Sequence, residues 1–457
     1  MKQAGRPPAK PLSCDSKDKT MKIAFLTLGC KLNYAETSTY ERLLARSGFE
    51  AVPWNSGEAD AYLVNTCSVT EHSDKKGRNL VRKLHRLSPS APIFVAGCSA
   101  QLRRDSYCAL EGVVRVFSAN EKAVVAPEIE AYLTGTDAAG AGVVATASDS
   151  EVSPCLMFPA YSGKERTRSF LKVQDGCDYK CHYCTVPYAR GESRNAPISQ
   201  LVGMAREIAA EGTRELVITG VNTGDFGKTT GESFLDLLKA LEEVEGIERY
   251  RISSIEPNLL TEAIIDWIAG TSRKFLPHFH IPLQSGCDRI LEAMGRRYRT
   301  SDFRSKIQYI REKLGPEVFL GIDVIVGFPG ESEADFEATY RFLEEEIRPA
   351  FIHIFPYSRR PGTPAATMKN QVQDSVKTER AHRLEELCRR LHTDFIRAQI
   401  GREEEVLFES SDKNGYMFGY TRNYVKVRAL CDTARMGQLV RLQLDASMLC
   451  LENDDIV

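Results

Sequence analysis

Three closely spaced cysteines are the residues best suited to chemistry. Cys177, Cys181 and Cys184 follow a C-x3-C-x2-C pattern just after a strand-like run. Three thiolates on one short loop can hold three irons of a 4Fe–4S cluster, which leaves the fourth iron open to an outside ligand. A zinc site is the alternative, but it would need a fourth ligand such as His182 and usually pairs two C-x2-C motifs. The spacing favours the iron–sulfur cluster.

A second set of cysteines is spread over the first third of the chain. Cys30, Cys67 and Cys98 each follow directly on a predicted strand. Because parallel strands bring their carboxyl ends to one edge of a sheet, we expect these thiols to converge and hold an auxiliary 4Fe–4S cluster, again with one open iron. The alternative is that each is a small buried hydrophobic residue. The other cysteines are interpreted as structural or incidental: Cys14, Cys108, Cys155, Cys287, Cys388, Cys431 and Cys450.

The composition is that of a globular chain with several domains. Its 457 residues are 42% hydrophobic and 27% charged, with a mean hydropathy of −0.30, which excludes collagen-like and largely disordered classes. No run of 18 apolar residues occurs, so no membrane-spanning helix is expected. The first twenty residues lack the apolar core of a secretory signal, and the many cysteines indicate a reducing compartment. We expect a cytoplasmic protein without a membrane partner and with a disordered leader over residues 1–20.

Residues 21–133 alternate strand-like and helical patterns. Strands and helices are predicted at 22–28, 34–47, 60–65, 71–88, 93–97, 101–110 and 113–117. This alternation predicts an amino-terminal α/β domain with a parallel sheet. Residues 134–160 are rich in small and polar residues without periodicity, and they are predicted to be a linker.

Residues 161–392 repeat the alternation six times. The candidate strands are 170–174, 215–219, 250–255, 278–283, 319–326 and 351–356. Six such units predict a central partial (β/α)6 barrel, a smaller relative of the eight-fold barrel. Polar residues stand at the strand ends, where such folds build their sites: Asn222, Ser254, Glu256, Gln284 and Asp323. Short alternating segments within 393–457 predict a small antiparallel β-barrel at the carboxyl terminus.

These motifs resemble the radical S-adenosylmethionine (SAM) superfamily and, within it, the methylthiotransferases. The resemblance extends from residue 21 to the end of the chain. It is carried by the segments 27–33 (TLGCKLN), 65–70 (NTCSVT), 176–191, 251–256 (RISSIE), 280–286 (HIPLQSG), 323–331 (DVIVGFPGE) and 355–358 (FPYS). The terminal barrel resembles the TRAM domain, an RNA-binding module.

The resemblance implies a radical reaction. One SAM molecule would bind the open iron held by the C-x3-C-x2-C loop and be cleaved to a radical, and another would supply a methyl group. Sulfur from the auxiliary cluster would replace the hydrogen at carbon 2 of an adenine, a position that acid–base catalysis cannot activate. Four residues are expected to contact SAM: Tyr183, Asn222, Ser254 and Glu256.

The segment Leu28–Asn33 is most similar to enzymes that act on N6-threonylcarbamoyladenosine at position 37 of tRNA. Segments 74–78 (DKKGR) and 360–364 (RPGTP) suit the same group. The alternatives are the same chemistry on N6-isopentenyladenosine of tRNA or on an aspartate of a ribosomal protein. An iron–sulfur electron carrier would instead have four cysteines per cluster, and a zinc-containing RNA-binding protein would be colourless.

The partners expected are a tRNA anticodon stem-loop and a flavodoxin- or ferredoxin-type electron donor. The net charge of −2 does not indicate RNA binding, but residues 72–86 carry six Lys/Arg against one Asp. The Arg296–Arg299 run is a second candidate for phosphate contacts. Residues 402–457 carry seven Lys/Arg against ten acidic residues, so they would bind RNA through a local face: Arg422, Lys426 and Arg428. Each basic patch could instead be a solvated helix face.

Overall fold

A computed structural model of the chain describes residues 20–136, 157–163 and 166–450. These residues form two compact units. Unit 1 comprises Met1–Ser162 and Thr185–Glu192, and unit 2 comprises Gly163–Cys184 and Ser193–Val457. Nearly all of the predicted leader and most of the predicted linker lie outside the described residues, as do Cys14 and Cys155.

Unit 1 is built on a five-stranded parallel sheet. Its strands are β1 (Lys22–Thr27), β2 (Glu50–Ala51), β3 (Ala61–Thr66), β4 (Ile93–Gly97) and β5 (Val113–Val116). They lie in the order β2–β1–β3–β4–β5. The unit also contains the short strand β6 (Ala160–Tyr161) and the helices α1 (Lys31–Arg46), α2 (Glu71–Leu87), α3 (Cys98–Leu102), α4 (Arg104–Cys108), α5 (Val125–Thr134) and α6 (Val186–Arg190). The predicted parallel α/β architecture is confirmed.

Helix α2 shows how the sequence sets these elements. Thr70 precedes it, and its side chain accepts a hydrogen bond from the Ser73 backbone N–H at 3.2 Å, which caps the helix. Val81 and Leu84 pack into the core under the sheet, while the lysines of the helix remain outside. Gly77 allows close packing, because a Cβ there would lie 2.4 Å from the hydroxyl oxygen of Tyr107.

One predicted helix is divided in the structure. The segment 101–110 contains the end of α3 and all of α4 rather than a single helix. Arg103 lies between them with φ −133° and ψ 34°, which is not a helical conformation and ends α3.

Unit 2 contains six parallel strands that follow the chain order, as the predicted partial barrel requires. Its strands, including a short antiparallel pair β8 and β9, are β7 (Arg168–Lys172), β8 (Gln174–Asp175), β9 (Arg194–Asn195), β10 (Glu215–Thr219), β11 (Arg249–Ile252), β12 (His278–Gln284), β13 (Phe319–Val326) and β14 (Phe351–Pro356). Strands β7, β10 and β11 pair in that order, as do β12, β13 and β14. A parallel bridge between Ser254 and His280 joins the two groups.

The helices of unit 2 alternate with these strands. They are α7 (Ile198–Ala210), α8 (Phe234–Glu242), α9 (Glu262–Gly270), α10 (Asp288–Ala293), α11 (Thr300–Leu314), α12 (Glu333–Arg341) and α13 (Asp374–Arg397). A π-helical turn over Phe342–Ile347 continues α12. In the part of the chain that the structure describes, no helix is both long and apolar enough to cross a membrane.

The carboxyl-terminal strands form an antiparallel sheet within unit 2. They are β15 (Glu403–Lys413), β16 (Tyr416–Tyr420), β17 (Lys426–Leu430) and β18 (Leu439–Gln443), in the order β17–β16–β15–β18. Arg249 of β11 is 2% exposed, and its guanidinium donates to Glu405 of β15 and to the Tyr420 carbonyl at 3.2 Å. The small antiparallel β structure expected here is therefore present. The buried guanidinium of Arg249 links it to the barrel strands.

Candidate active site

Cys30, Cys67 and Cys98 lie together at the carboxyl edge of the unit 1 sheet. Cys30 directly precedes α1, Cys67 directly follows β3, and Cys98 begins α3 after β4. Burial, with a contribution from the charges of the other two thiols, raises the pKa of Cys67 to about 12. The packing is tight, because a Cβ at Gly29 would lie 2.6 Å from Cys67 Sγ. The structure thus brings these three cysteines together.

Asn33 fixes the loops that carry these cysteines. Its side-chain amide donates to the carbonyl oxygens of Leu28 and Thr66, both at 2.9 Å. Leu28 is two residues before Cys30, and Thr66 is the residue before Cys67. A single buried side chain therefore holds two strand ends in register.

Arg190 supplies a positive charge to this cysteine group. Its Nε donates to Cys98 Sγ at 3.2 Å, its Nη1 donates to Glu36 Oε1 at 3.2 Å, and its Nη2 donates to Asn33. The side chains of Arg190 and Glu36 are 3% and 1% exposed. Glu36 forms a second ion pair with Lys122, whose Nζ lies 2.9 Å from Glu36 Oε1. Burial raises the pKa of Cys98, and Arg190 opposes that rise. The buried guanidinium therefore favours the thiolate, which is the form that binds iron.

The C-x3-C-x2-C loop lies in unit 2 after β8. The backbone N–H of Cys184 donates to the Cys181 carbonyl at 3.0 Å, and that of Tyr179 donates to Cys177 Sγ at 3.4 Å. Burial raises the pKa of Cys177 to about 11, and the charge of Cys181 contributes. His182 is held by the barrel, because its Nδ1 lies 2.8 Å from the Ala293 carbonyl oxygen. That bond fixes the orientation of the His182 ring.

Arg296 contacts the cysteines of the C-x3-C-x2-C loop. Its Nη1 donates to Cys181 Sγ at 3.1 Å and to the Tyr183 hydroxyl at 3.3 Å, and its Nη2 forms an ion pair with Glu256. The Arg296 side chain is only 2% exposed. The expectation that the whole Arg296–Arg299 run contacts RNA phosphates is therefore wrong for Arg296, because the guanidinium is buried against a carboxylate and a thiol.

The residues expected to contact SAM differ in whether their side chains already have hydrogen-bond partners. Tyr183 and Glu256 both bind Arg296, and burial raises the pKa of Glu256. Asn222 follows β10 and is 3% exposed, yet neither its amide nitrogen nor its amide oxygen has a hydrogen-bond partner among the residues that the structure describes. Ser254 contributes a backbone carbonyl to Thr223, whereas the buried hydroxyl of Ser253 has no hydrogen-bond partner within the same described ranges. Buried polar atoms left unpaired are costly, so Asn222 and Ser253 fit a polar ligand.

The other strand-end residues add to this polar surface inside unit 2. Gln284 takes a left-handed φ of 70° at a bulge in β12, and its side-chain oxygen is buried without a partner. Asp323 of β13 accepts from His280 of β12 at 2.6 Å, and the His280 ring stacks on His353 of β14 with centroids 4.7 Å apart. The barrel interior is therefore lined by paired and unpaired polar groups near its strand ends.

One group of three potential metal ligands stands out by its spacing. Within residues 20–136, 157–163 and 166–450, the ligand atoms of His280, Asp323 and His353 all lie within 4.8 Å of each other.

Protein-family models match both parts of the chain that carry the cysteine groups. Residues 171–343 match the Radical SAM superfamily, and residues 22–118 match the family described as Uncharacterized protein family UPF0004. The first match covers the C-x3-C-x2-C loop and most of the barrel, and it implies SAM and a 4Fe–4S cluster. The second covers all three cysteines of the unit 1 group.

Curated relatives cover almost the whole chain. Threonylcarbamoyladenosine tRNA methylthiotransferase MtaB of Bacillus subtilis is 35% identical, with 92% of this chain and 93% of the relative aligned. The protein of the same name from Thermotoga maritima is 37% identical, with 89% and 91% aligned. A tRNA-2-methylthio-N(6)-dimethylallyladenosine synthase from Alkaliphilus oremlandii is 31% identical, with 94% and 91% aligned.

The solved structures support the fold. The radical SAM methyltransferase TsrM from Kitasatospora setae aligns with a TM-score of 0.55 at 15% identity, over 76% of this chain and 75% of that one. At that identity the likeness concerns architecture alone. With the relatives aligned from end to end and the two cysteine groups in place, the chain belongs to the radical SAM methylthiotransferase family.

Proposed function

We propose that this protein replaces the C2 hydrogen of N6-threonylcarbamoyladenosine at position 37 of tRNA with a methylthio group, using SAM as methyl donor and as radical source. The observation that carries the proposal is the presence of two separate cysteine triads, each with a buried arginine bonded to one thiol sulfur. A carrier of electrons would need neither an open iron nor unpaired polar groups beside it. An enzyme that cleaves SAM and inserts sulfur needs both.

Each triad would hold one 4Fe–4S cluster. The first cluster would be bound by Cys177, Cys181 and Cys184. The second would be bound by Cys30, Cys67 and Cys98. When bound, one cluster supplies the electron that cleaves SAM and the other carries the sulfur that is inserted. Arg190 and Arg296 would each place a buried positive charge at one ligand sulfur.

The chain's own residues would position SAM and keep water away from the radical. Asn222 offers an unpaired amide donor and acceptor, which suits the amino and carboxylate groups of a methionine moiety. Tyr183 is packed among apolar side chains of the barrel and is held by Arg296, so its ring is fixed for contact with a nucleoside. Neither residue needs to move a proton, and their role is orientation.

The choice of the threonylcarbamoyl substrate rests on the relatives and on the Leu28–Asn33 segment. Five relatives named MtaB are 33–37% identical, while three named for dimethylallyladenosine are 31–34% identical. The dimethylallyl (isopentenyl) substrate is therefore the second candidate. A carboxylate-bearing substrate and an apolar one make opposite demands on a pocket, so one enzyme should discriminate strongly between them.

The anticodon stem-loop would lie partly on β16 and β17. Phe418 and Arg428 are paired across these strands, as are Tyr416 and Leu430. Lys426 Nζ lies 4.9 Å from the Phe418 ring centroid, and the Arg428 guanidinium lies 5.7 Å from that of Tyr416. A sheet face that alternates aromatic rings and cations is typical of surfaces that stack bases and hold phosphates.

A tRNA substrate and a chain rich in cysteines favour a reducing cytoplasm, where a flavodoxin- or ferredoxin-type protein would deliver the electrons.

The proposal is tested with anaerobically reconstituted protein, SAM, dithionite and two purified tRNAs, one bearing each modification. Mass spectrometry of the digested nucleosides should show the methylthio product from the threonylcarbamoyl tRNA. Preference for the isopentenyl tRNA would reject the substrate, and the absence of product from both would reject the reaction.

A further inference from the structure

An open groove lies beside the amino-terminal cysteine group. It has a volume of about 500 Å³ and runs between helix α2 and the carboxyl end of β1. Its lining includes Leu28, Trp54, Lys76 and Lys83. This volume is within the range of small-molecule sites. The two lysines of the groove belong to the basic segment 72–86, for which contacts to RNA phosphates are predicted from the sequence.

The lining combines one large aromatic ring with two cations. Trp54 is half-buried, and Lys83 Nζ lies 4.4 Å from the centroid of its ring. Lys76 is exposed about two helical turns earlier on the same side of α2, and the lining contains no acidic residue. A flat ring with ammonium groups around it suits a ligand that has both a planar aromatic part and a negative charge.

The groove begins at the edge of the sheet where the cysteines lie. Leu28, which lines it, is two residues before Cys30, and α2 begins four residues after Cys67. A nucleic-acid chain that presents one base to the cysteines would therefore have a neighbouring nucleotide within reach of Trp54. Farther along α2, Arg82 and Arg86 extend the exposed positive charge.

We propose that this groove binds one nucleotide next to the modified adenosine, with its base stacked on Trp54 and its phosphate between Lys76 and Lys83. The proposal rests on the RNA substrate proposed above and deepens it. Lys83 covers the ring in the structure, but its long side chain can turn to a phosphate while the base takes its place. An unpaired loop nucleotide is suited to this, because its base can leave the stack at low cost.

An acidic protein such as the electron donor is the competing occupant. Phosphate and carboxylate would both attract the lysines, so charge alone does not decide between them. The aromatic ring does, because a stacking platform gains most from a planar base. The test therefore changes the ring and the charges separately.

The ring is tested by binding of a fluorescein-labelled anticodon stem-loop to the reconstituted protein, measured by anisotropy. Trp54→Ala should weaken binding by about 5- to 100-fold, and Trp54→Phe should retain much of the affinity. Trp267→Phe is the matched control, because it changes the other tryptophan of the chain, which packs on Phe275 in unit 2. Trp54 also touches the sheet core, so iron content and circular dichroism should first show that its variants are folded.

The charges are tested with the double variant Lys76→Gln/Lys83→Gln, which does not disturb the core. Its salt dependence of binding should have a slope shallower by about 1–2, and the exposed Lys239→Gln in unit 2 should leave the slope unchanged. Unchanged RNA affinity in both sets of variants would overturn the proposal, as would a loss confined to reduction by a flavodoxin. Product formation by the unaltered protein is measured in parallel, so a failure of the proposed reaction is seen separately from a failure of the groove.

Discussion

Arg190 Nε donates a hydrogen bond to Cys98 Sγ at 3.2 Å although the two residues are 92 positions apart in the chain. The same relationship recurs in unit 2, where Arg296 donates to Cys181 Sγ at 3.1 Å. Each guanidinium is buried and each is anchored by a glutamate, Glu36 or Glu256. Hydrogen bonds and positive charge at a ligand sulfur raise the reduction potential of an iron–sulfur cluster. If each cysteine group holds the cluster proposed for it, both arginines would therefore position and tune a cluster.

The first prediction concerns Arg190→Gln. Loss of the cation should lower the iron content of the reconstituted protein from about eight towards about four, and shift the potential of the remaining auxiliary cluster to a lower value. Glu36 would keep Lys122 as a partner, so the free energy of unfolding should fall by about 1–3 kcal/mol rather than more. Arg190→Lys keeps the charge without the Nε–H bond and should give intermediate values. Iron analysis and an EPR-monitored redox titration measure both effects.

Arg214→Gln serves as the control for Arg190. Its ion pair with Glu248 is exposed, with side-chain exposures of 35% and 46%. Removal of such a pair should change the unfolding free energy by less than about 1 kcal/mol and leave the iron content unaltered. If Arg190→Gln behaves like this control, the contact with Cys98 has no effect on the cluster.

The second prediction separates the two cysteine groups. Cys67→Ala should retain about four irons and still form deoxyadenosine from SAM upon reduction, but give no methylthio product. Cys181→Ala should also retain about four irons, and it should form no deoxyadenosine. The pair serves as its own control, because each variant removes one ligand from one triad. Equal loss of SAM cleavage in both variants would contradict the assignment of separate roles.

The cysteine groups show what the sequence can and cannot predict. The C-x3-C-x2-C loop is a local pattern, and the convergence of Cys30, Cys67 and Cys98 follows from the rule that parallel strands share a carboxyl edge. The ten strands predicted within residues 21–133 and 161–392 could be located within three residues because their apolar runs are short and clearly bounded, whereas the two-residue strands β2, β6, β8 and β9 were not predicted. Bonds such as that of Arg190 are formed over long sequence separations, so no local pattern reveals them.

One expectation was wrong for a structural reason. The Arg296–Arg299 run has the composition of a basic surface patch, but the turn after α10 directs Arg296 inward while Arg299 precedes α11. The SAM contact expected of Ser254 stays a prediction, and the neighbouring Ser253 has a buried hydroxyl without a hydrogen-bond partner among the described residues. Composition and strand position do not determine which side chain of adjacent residues points inward, because that depends on the local backbone.

The third prediction is a pH dependence of stability. His392 of α13 is 4% exposed, and its Nδ1–H donates to the Ala350 carbonyl at 2.8 Å. Burial lowers its pKa, so the unfolded chain binds a proton near pH 6.5 that the folded chain resists. The contribution of His392 is thus complete above pH 6.5 and is lost as the pH falls, by at most about 1.4 kcal/mol per pH unit.

Urea unfolding between pH 5 and pH 8 measures this contribution as a difference between variants. His392→Gln should show a flatter acid limb than the unaltered protein. His382→Gln is the matched control on the same helix, because the His382 side chain is 70% exposed. Parallel curves for His392→Gln and the unaltered protein would show that His392 does not contribute to the acid sensitivity.

The last prediction concerns Asn222, whose buried amide has no hydrogen-bond partner at either atom. A buried unpaired polar group destabilises the folded protein by about 1–3 kcal/mol, so Asn222→Ala should raise the unfolding free energy of the SAM-free protein or leave it unchanged. If the amide binds SAM, the same substitution should raise the Kd for SAM about tenfold or more while the iron content stays at the unaltered value.

Asn423→Ala is the control, because Asn423 is equally buried but donates to Glu317 and Gln399, both at 3.0 Å, and accepts from Thr421. That variant should lose stability and keep its affinity for SAM. Calorimetry of SAM binding and urea unfolding of the two variants give opposite patterns if the inference is right, and Asn222→Ala that loses stability with unchanged SAM affinity would assign Asn222 a purely structural role.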